Sequence, residues 1–72
     1  MPQHFDGNEL RRRRHAAGID QTRFAADIGK SAATIANYEN GHYHPPVAVL
    51  TRIAQALGCR VEDLFREEAP VA

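Results

Sequence analysis

Cys59 is the sole cysteine, so no disulfide can form within the chain. That suits a reducing compartment. Long apolar runs are also missing, and a membrane-spanning helix would need roughly 20 such residues in a row. The arginine run Arg11–Arg14 has no apolar segment after it, so residues 1–15 do not read as a signal peptide. No stretch of alternating β-branched residues reads as strand. Net charge is absent too, with nine Lys/Arg against nine Asp/Glu. A strongly basic excess, the usual footprint of a nucleic-acid binder, is therefore not evident in the total.

Seventy-two residues make one small domain. A chain this short buries only about 60% of its unfolded surface. It has no room for a bulky internal cofactor or a multi-step active site, and no cofactor is expected. Its hydrophobic content of 43% is that of a folding chain. Charge counted by region is more informative than the total. Residues 1–60 hold eight basic and five acidic residues, for +3, while residues 61–72 hold Arg66 against four acids, for −3. The zero is a sum of unlike halves.

Alanine and arginine favour helix. Gly18, Gly29, Gly41 and Gly58 recur at intervals that suit helix ends. A first helix is predicted over about Glu9–Ala17, with Asn8 as N-cap. Its inward stripe is Leu10, Arg14 and Ala17. A second follows the cap residue Asp20, with Phe24, Ala25 and Ile28 inward. A third follows Ser31, with Ile35 and Tyr38 inward. Pro46 opens a fourth, in which Val47, Leu50, Ile53, Ala54 and Leu57 repeat with helical spacing. Val61, Leu64 and Phe65 mark a short fifth. The expected fold is all-α, with residues 1–7 an N-terminal arm, 8–66 the domain and 67–72 an acidic tail.

Gln21 to Gly41 carries the functional signal. Two short helices meet at Gly29 with few residues between them. Ala25 supplies a small contact, Gly29 a bend and Ile35 an apolar anchor. This is the logic of a helix-turn-helix, whose second helix enters the DNA major groove.

The stretches LRRRRHAAGIDQTRFAADIGKSAATIANYENG and PPVAVLTRIAQALGCRVEDLF resemble the lambda-repressor-like helix-turn-helix family (the Cro and CI type, also called XRE). GxxQxxxAxxxG, IxxYENG and P…IAxALG…VxDLF occur in that order, over about residues 10–65. The resemblance implies a compact five-helix domain and operator binding as a dimer. It also implies an ion pair between Arg14 and Glu39. The residues themselves agree, since an arginine on an inward stripe needs a carboxylate partner.

Carried onto this chain, the resemblance implies phosphate contacts from Gln21, at the start of the second helix, and from the turn at Asn40 and Gly41. Lys30, His42, Tyr43 and His44 are plausible neighbours of the DNA backbone, and Arg23 and Thr34 complete the expected phosphate set. Base reading falls to Ser31, Ala32, Ala33 and Asn37. Here the chain departs from the family it resembles, which often has Gln or Arg where Ala32 and Ala33 stand. An alanine can touch a thymine methyl, whereas Asn37 can bond adenine in bidentate fashion. Few direct base bonds and a share of indirect readout are expected.

Other motifs have plainer readings. Arg11–Arg13 read as a solvated helix face from which one or two side chains reach phosphates. His4, His15, His42 and His44 lack the cysteine or acidic partners of a zinc site, so no metal is expected. Glu62 and Asp63 suit the first turn of a helix better than acid–base chemistry. Cys59 reads as a core-boundary residue and Tyr38 as core.

The expected function is a cytoplasmic, sequence-specific duplex-DNA-binding regulator of transcription, repressor- or Cro-like, and not an enzyme. A palindromic operator and a homodimer joined around Val61, Leu64 and Phe65 are expected, with no membrane and no small-molecule effector. The alternative is a protein-binding adaptor, antitoxin-like or polymerase-binding, with weak DNA affinity.

Overall fold

The computed structural model describes residues 3–67. A short strand β1 (Gln3–Phe5) leads into α1 (Gly7–Ala16), followed by α2 (Gln21–Ile28), α3 (Ala32–Glu39) and α4 (Val47–Leu57). A single 3-10 turn (Val61–Leu64) and strand β2 (Phe65–Glu67) complete the order. The architecture is mostly helical and of the lambda-repressor type, but it departs from the all-α, five-helix expectation in two ways. The fifth helix is only that 3-10 turn, and a two-stranded sheet is present. β1 and β2 pair antiparallel, with Phe5 opposite Phe65 and Gln3 opposite Glu67. Three residues are too few to display an alternating pattern, so neither strand was legible as such. Gln3–Phe5 and Gly7, read as part of an arm, thus belong to the folded body, and Glu67 pairs rather than opening a tail. The rest of the expected acidic tail, 68–72, lies outside the described residues.

Side-chain caps start the first three helices. Asp6, not Asn8, caps α1, its carboxylate accepting from the amides of Asn8 (3.0 Å) and Glu9 (3.2 Å). Both residue types cap well. Asp6 is held in place by its own amide, which donates to the Leu64 carbonyl at 2.8 Å. Asp20 caps α2 through the Arg23 amide, and Ser31 caps α3 through the Thr34 amide. Gly29 ends α2 with φ +71°, a left-handed conformation that L side chains rarely adopt. It lets the chain reverse into α3 within three residues.

The core runs through all four helices and the final turn. Leu10, Phe24, Ile28, Ile35, Ile53 and Leu64 are essentially inaccessible. Ala25 is also buried, and its small side chain allows α2 and α3 to cross closely. Two expected inward residues are exposed. Ala17 lies beyond the last turn of α1. Val47 is 78% exposed, because the buried stripe of α4 centres on Leu50, Ile53 and Ala54 and Val47 falls at its edge in the first turn. Cys59 packs against the core as a partly buried residue, and burial pushes its thiol pKa up.

Candidate nucleic-acid interface

Three buried side chains fix α3: Ile35, Tyr38 and Glu39. At about 100° per residue, Ala33 and Asn37 then occupy the middle of its opposite face. Ala33 is exposed, and Ala32, Thr34, Ala36 and Asn37 are half-buried around it. Ser31 is exposed, but its hydroxyl accepts from the Thr34 amide at 3.2 Å and lies 3.0 Å from the Thr34 hydroxyl. Ser31 and Thr34 therefore reach outward as a bonded pair, and Asn37 is the face's principal free hydrogen-bonding group.

Glu39 anchors the other edge. Its carboxylate receives Arg14 in bidentate fashion, with Nε to Oε2 at 2.6 Å and Nη2 to Oε1 at 3.2 Å. Arg14 also donates from Nη1 to the Ile19 carbonyl at 2.8 Å. Gln21 Nε2 donates to Glu39 Oε1 at 3.1 Å, and Arg11 Nε approaches the same oxygen at 3.4 Å. One carboxylate thus ties α1, α2 and α3 together. Among the described residues no buried side-chain polar atom lacks a partner. Arg11 was missed as part of this network. It precedes Arg14 by three residues and so shares its helix face, which was a usable signal.

The network changes what several expected phosphate ligands can offer. Gln21 is half-buried with its amide nitrogen on Glu39, leaving one of its two N–H groups. Asn40 Oδ1 accepts from Arg11 Nη2 at 2.6 Å, which leaves its NH2 donors available. The backbone amides of this turn are engaged by the end of α3 itself. Asn40 donates to Ala36, Gly41 to Tyr38 and His42 to Asn37. Any phosphate contact here must come from the side chains of Asn40 and His42 or from residues beyond them. Tyr43 is 64% exposed, and His42, Arg23 and Lys30 are also exposed. Arg23 and Lys30 make no ion pair among the described residues.

Two other readings shift. His44 is not a free loop base: its ring lies 5.7 Å from that of Phe5 and 5.8 Å from that of Phe65. Arg12 and Arg13 turn back onto Glu9, at 2.6 Å and 2.7 Å.

Both engaged glutamates titrate abnormally. Burial alone would raise the Glu39 pKa, but hydrogen bonds from Arg14 and Gln21 and the charge of Arg14 overcome it and hold the carboxyl below its ordinary 4.5. The Arg12 hydrogen bond, helped by Arg13 against partial burial, draws Glu9 down to about 2. A depressed carboxyl pKa stabilises the fold fully above the unfolded value and progressively less as pH falls through the folded one. Melting temperature should therefore stay level above about pH 5 and fall steadily from near pH 4.5 towards 2. A melting temperature that rises on acidification through that window would contradict these assignments.

Among the described residues no group of three His, Cys, Asp or Glu is placed to hold a metal ion, and no helix is long and apolar enough to cross a membrane.

A helix-turn-helix family model matches residues 10–64. An HTH-type transcriptional regulator of Archaeoglobus fulgidus is 34% identical over 56 residues, covering 78% of this chain and 80% of that one. Among solved structures, the P22 c2 repressor protein in complex with synthetic operator 9T matches with a TM-score of 0.79 at 28% identity, over 81% of this chain and 88% of that one. The restriction-modification controller protein C.AhdI from Aeromonas hydrophila gives 0.77 at 27% identity, over 82% and 89%. A hydroxypropylphosphonic acid epoxidase from S. wedmorenis gives 0.78 at 30% identity, but the 83% of this chain that matches spans only 32% of that enzyme. The family and its regulator relatives point to control of transcription rather than to an enzyme. With most of its length inside the family model and an archaeal relative matched over four-fifths of that protein, this chain belongs to the lambda-repressor-like helix-turn-helix family of transcriptional regulators.

Proposed function

We propose that this regulator binds duplex DNA sequence-specifically by laying α3 in the major groove, and that it acts as a repressor or Cro-like protein in the cytoplasm. The observation that carries this is the division of α3. One edge is locked by Ile35, Tyr38 and Glu39, while the other presents Ala33 and Asn37 to solvent. Ser31, Ala32, Ala33 and Asn37 would meet base edges. Gln21, Arg23, Lys30, Thr34, Asn40, His42 and Tyr43 would meet phosphates, which position the protein without reading sequence. With a single side chain capable of a bidentate base bond, much of the discrimination would come from methyl contacts and DNA shape.

A homodimer on a palindromic site is part of the proposal, because one short recognition helix reads few base pairs. Leu64 is fully buried and offers no surface to a partner, whereas Val61 and Phe65, the latter edge-on to Phe5, are only partly buried and keep surface for one. Selection from random duplexes should yield a two-fold symmetric site. On it, Asn37→Ala should lose about 1–3 kcal/mol of discrimination at one base pair per half-site. Selection that enriches no sequence would defeat the sequence-specific reading. Identical preferences in wild type and variant would remove Asn37 from it.

A further inference from the structure

We propose that Arg66 and Arg11 form a phosphate seat at the C-terminal end of α3, so that cations grip the DNA backbone at both ends of the recognition helix. This rests on the reading of α3 as the DNA-binding helix.

Arg12 and Arg13 lie on Glu9, Arg14 on Glu39 and Arg60 on Asp63, while Arg11 is engaged through Nε with Glu39 and through Nη2 with Asn40 and keeps only Nη1 wholly free for a ligand. Among the described residues Arg23, Lys30, Arg52 and Arg66 make no ion pair. Lys30 immediately precedes the α3 cap, and Arg23 lies in the first turn of α2. Arg52 lies beside Gly29, at the end of α2. Arg66 belongs to the opposite end of α3. With Asn8, Arg11, Asn40 and Gly41 it lines an open hollow of about 330 Å³.

That hollow is suited to an anion. Its two carboxylates are already engaged, Asp6 by the first amides of α1 and Glu39 by Arg14. Arg11 holds the carbonyl oxygen of Asn40, leaving the NH2 donors of that side chain for a ligand. The sheet delivers Arg66. Phe65 turns onto Phe5 and His44, and successive strand residues point to opposite faces, so Arg66 is directed away from that aromatic cluster. Two guanidiniums and an amide form the donor set that a phosphate oxygen accepts best. The spacing also fits. Eight helical residues span about 12 Å, close to the roughly 12 Å width of the major groove. Cations at both ends of α3 therefore meet phosphates on both sides of the groove.

The test uses the full chain and a mixed-sequence 20-base-pair duplex, titrated between about 50 and 200 mM salt. Arg66→Gln should reduce the slope of log affinity against log salt by about 0.9, the value of one phosphate contact. It should weaken every duplex sequence to the same degree, with thermal melting unchanged. Arg66→Lys should restore the slope. Arg60→Gln, which removes a guanidinium already beside Asp63, should leave it unaltered. An unchanged slope for Arg66→Gln, in a wild type that binds, overturns this proposal alone. A wild type without salt-dependent binding overturns the reading of α3 itself.

Discussion

Replacing Glu39 with alanine is expected to remove about 3–5 kcal/mol of stability, the usual cost of leaving one member of a buried ion pair without its partner. Whole domains hold about 5–15 kcal/mol, and a chain this short sits at the low end of that range. The variant should therefore be largely unfolded at ordinary temperatures. Arg14 is 6% exposed and Glu39 2%, so water cannot take over the lost contact. The loss spreads beyond the pair, because Gln21 and Arg11 also donate to that carboxylate. Glu39→Gln keeps the shape but turns one acceptor into a donor facing guanidiniums, and should recover little. Arg14→Met combined with Glu39→Leu should recover a good part, since apolar replacement of a buried pair is often tolerated. The double variant still strips the Ile19 carbonyl of its donor, which limits the gain. Urea melts with unchanged slope would measure all three. A Glu39→Ala shift under about 1 kcal/mol would show that the pair does not hold the helices together.

The same carboxylate also bears on function. It fixes the angle between α1, α2 and α3, and with it the placement of Gln21 and Asn40 around the recognition helix. A side chain with no exposed surface thus sets the register of residues that would touch DNA.

Much of this was legible in the sequence because the signals are local. Asp20 and Ser31 cap by reaching three residues ahead, and Gly29 and Gly58 end helices by their own conformation. The partnership of Arg14 and Glu39 was legible for a different reason, since an inward arginine demands a carboxylate. The illegible features depend on contacts between distant segments. Asn8 is as good a cap as Asp6, and only the bond from the Asp6 amide to Leu64 decides between them. His44 looked like a polar loop residue until β1 and β2 brought Phe5 and Phe65 to it. The amides after α3 looked open to phosphate until the helix end claimed them.

Gly7→Ala should destabilise the fold by about 3 kcal/mol, the upper end of ordinary overpacking costs. The sign is the reverse of what helix propensity alone gives, since alanine in an open helix is better than glycine by about 1 kcal/mol. The reason lies in where α1 begins. A Cβ at Gly7 would stand 2.4 Å from the Tyr38 carbonyl oxygen and 2.6 Å from that of Glu39. Both are backbone atoms at the end of α3, so no side-chain rotation relieves the clash. The helices must move apart, and that motion pulls Arg11 and Arg14 away from Glu39. Gly7→Ala should consequently be less than additive with Glu39→Ala, because both break the same junction. Gly18→Ala is the control. Nothing lies within 4 Å of its added Cβ, but its φ is +71°, so it should cost only the roughly 1–2 kcal/mol of a left-handed alanine. A Gly7→Ala protein within about 0.5 kcal/mol of wild type would mean that the end of α3 can yield. The close seating of α1 against it would then not be what aims the recognition helix.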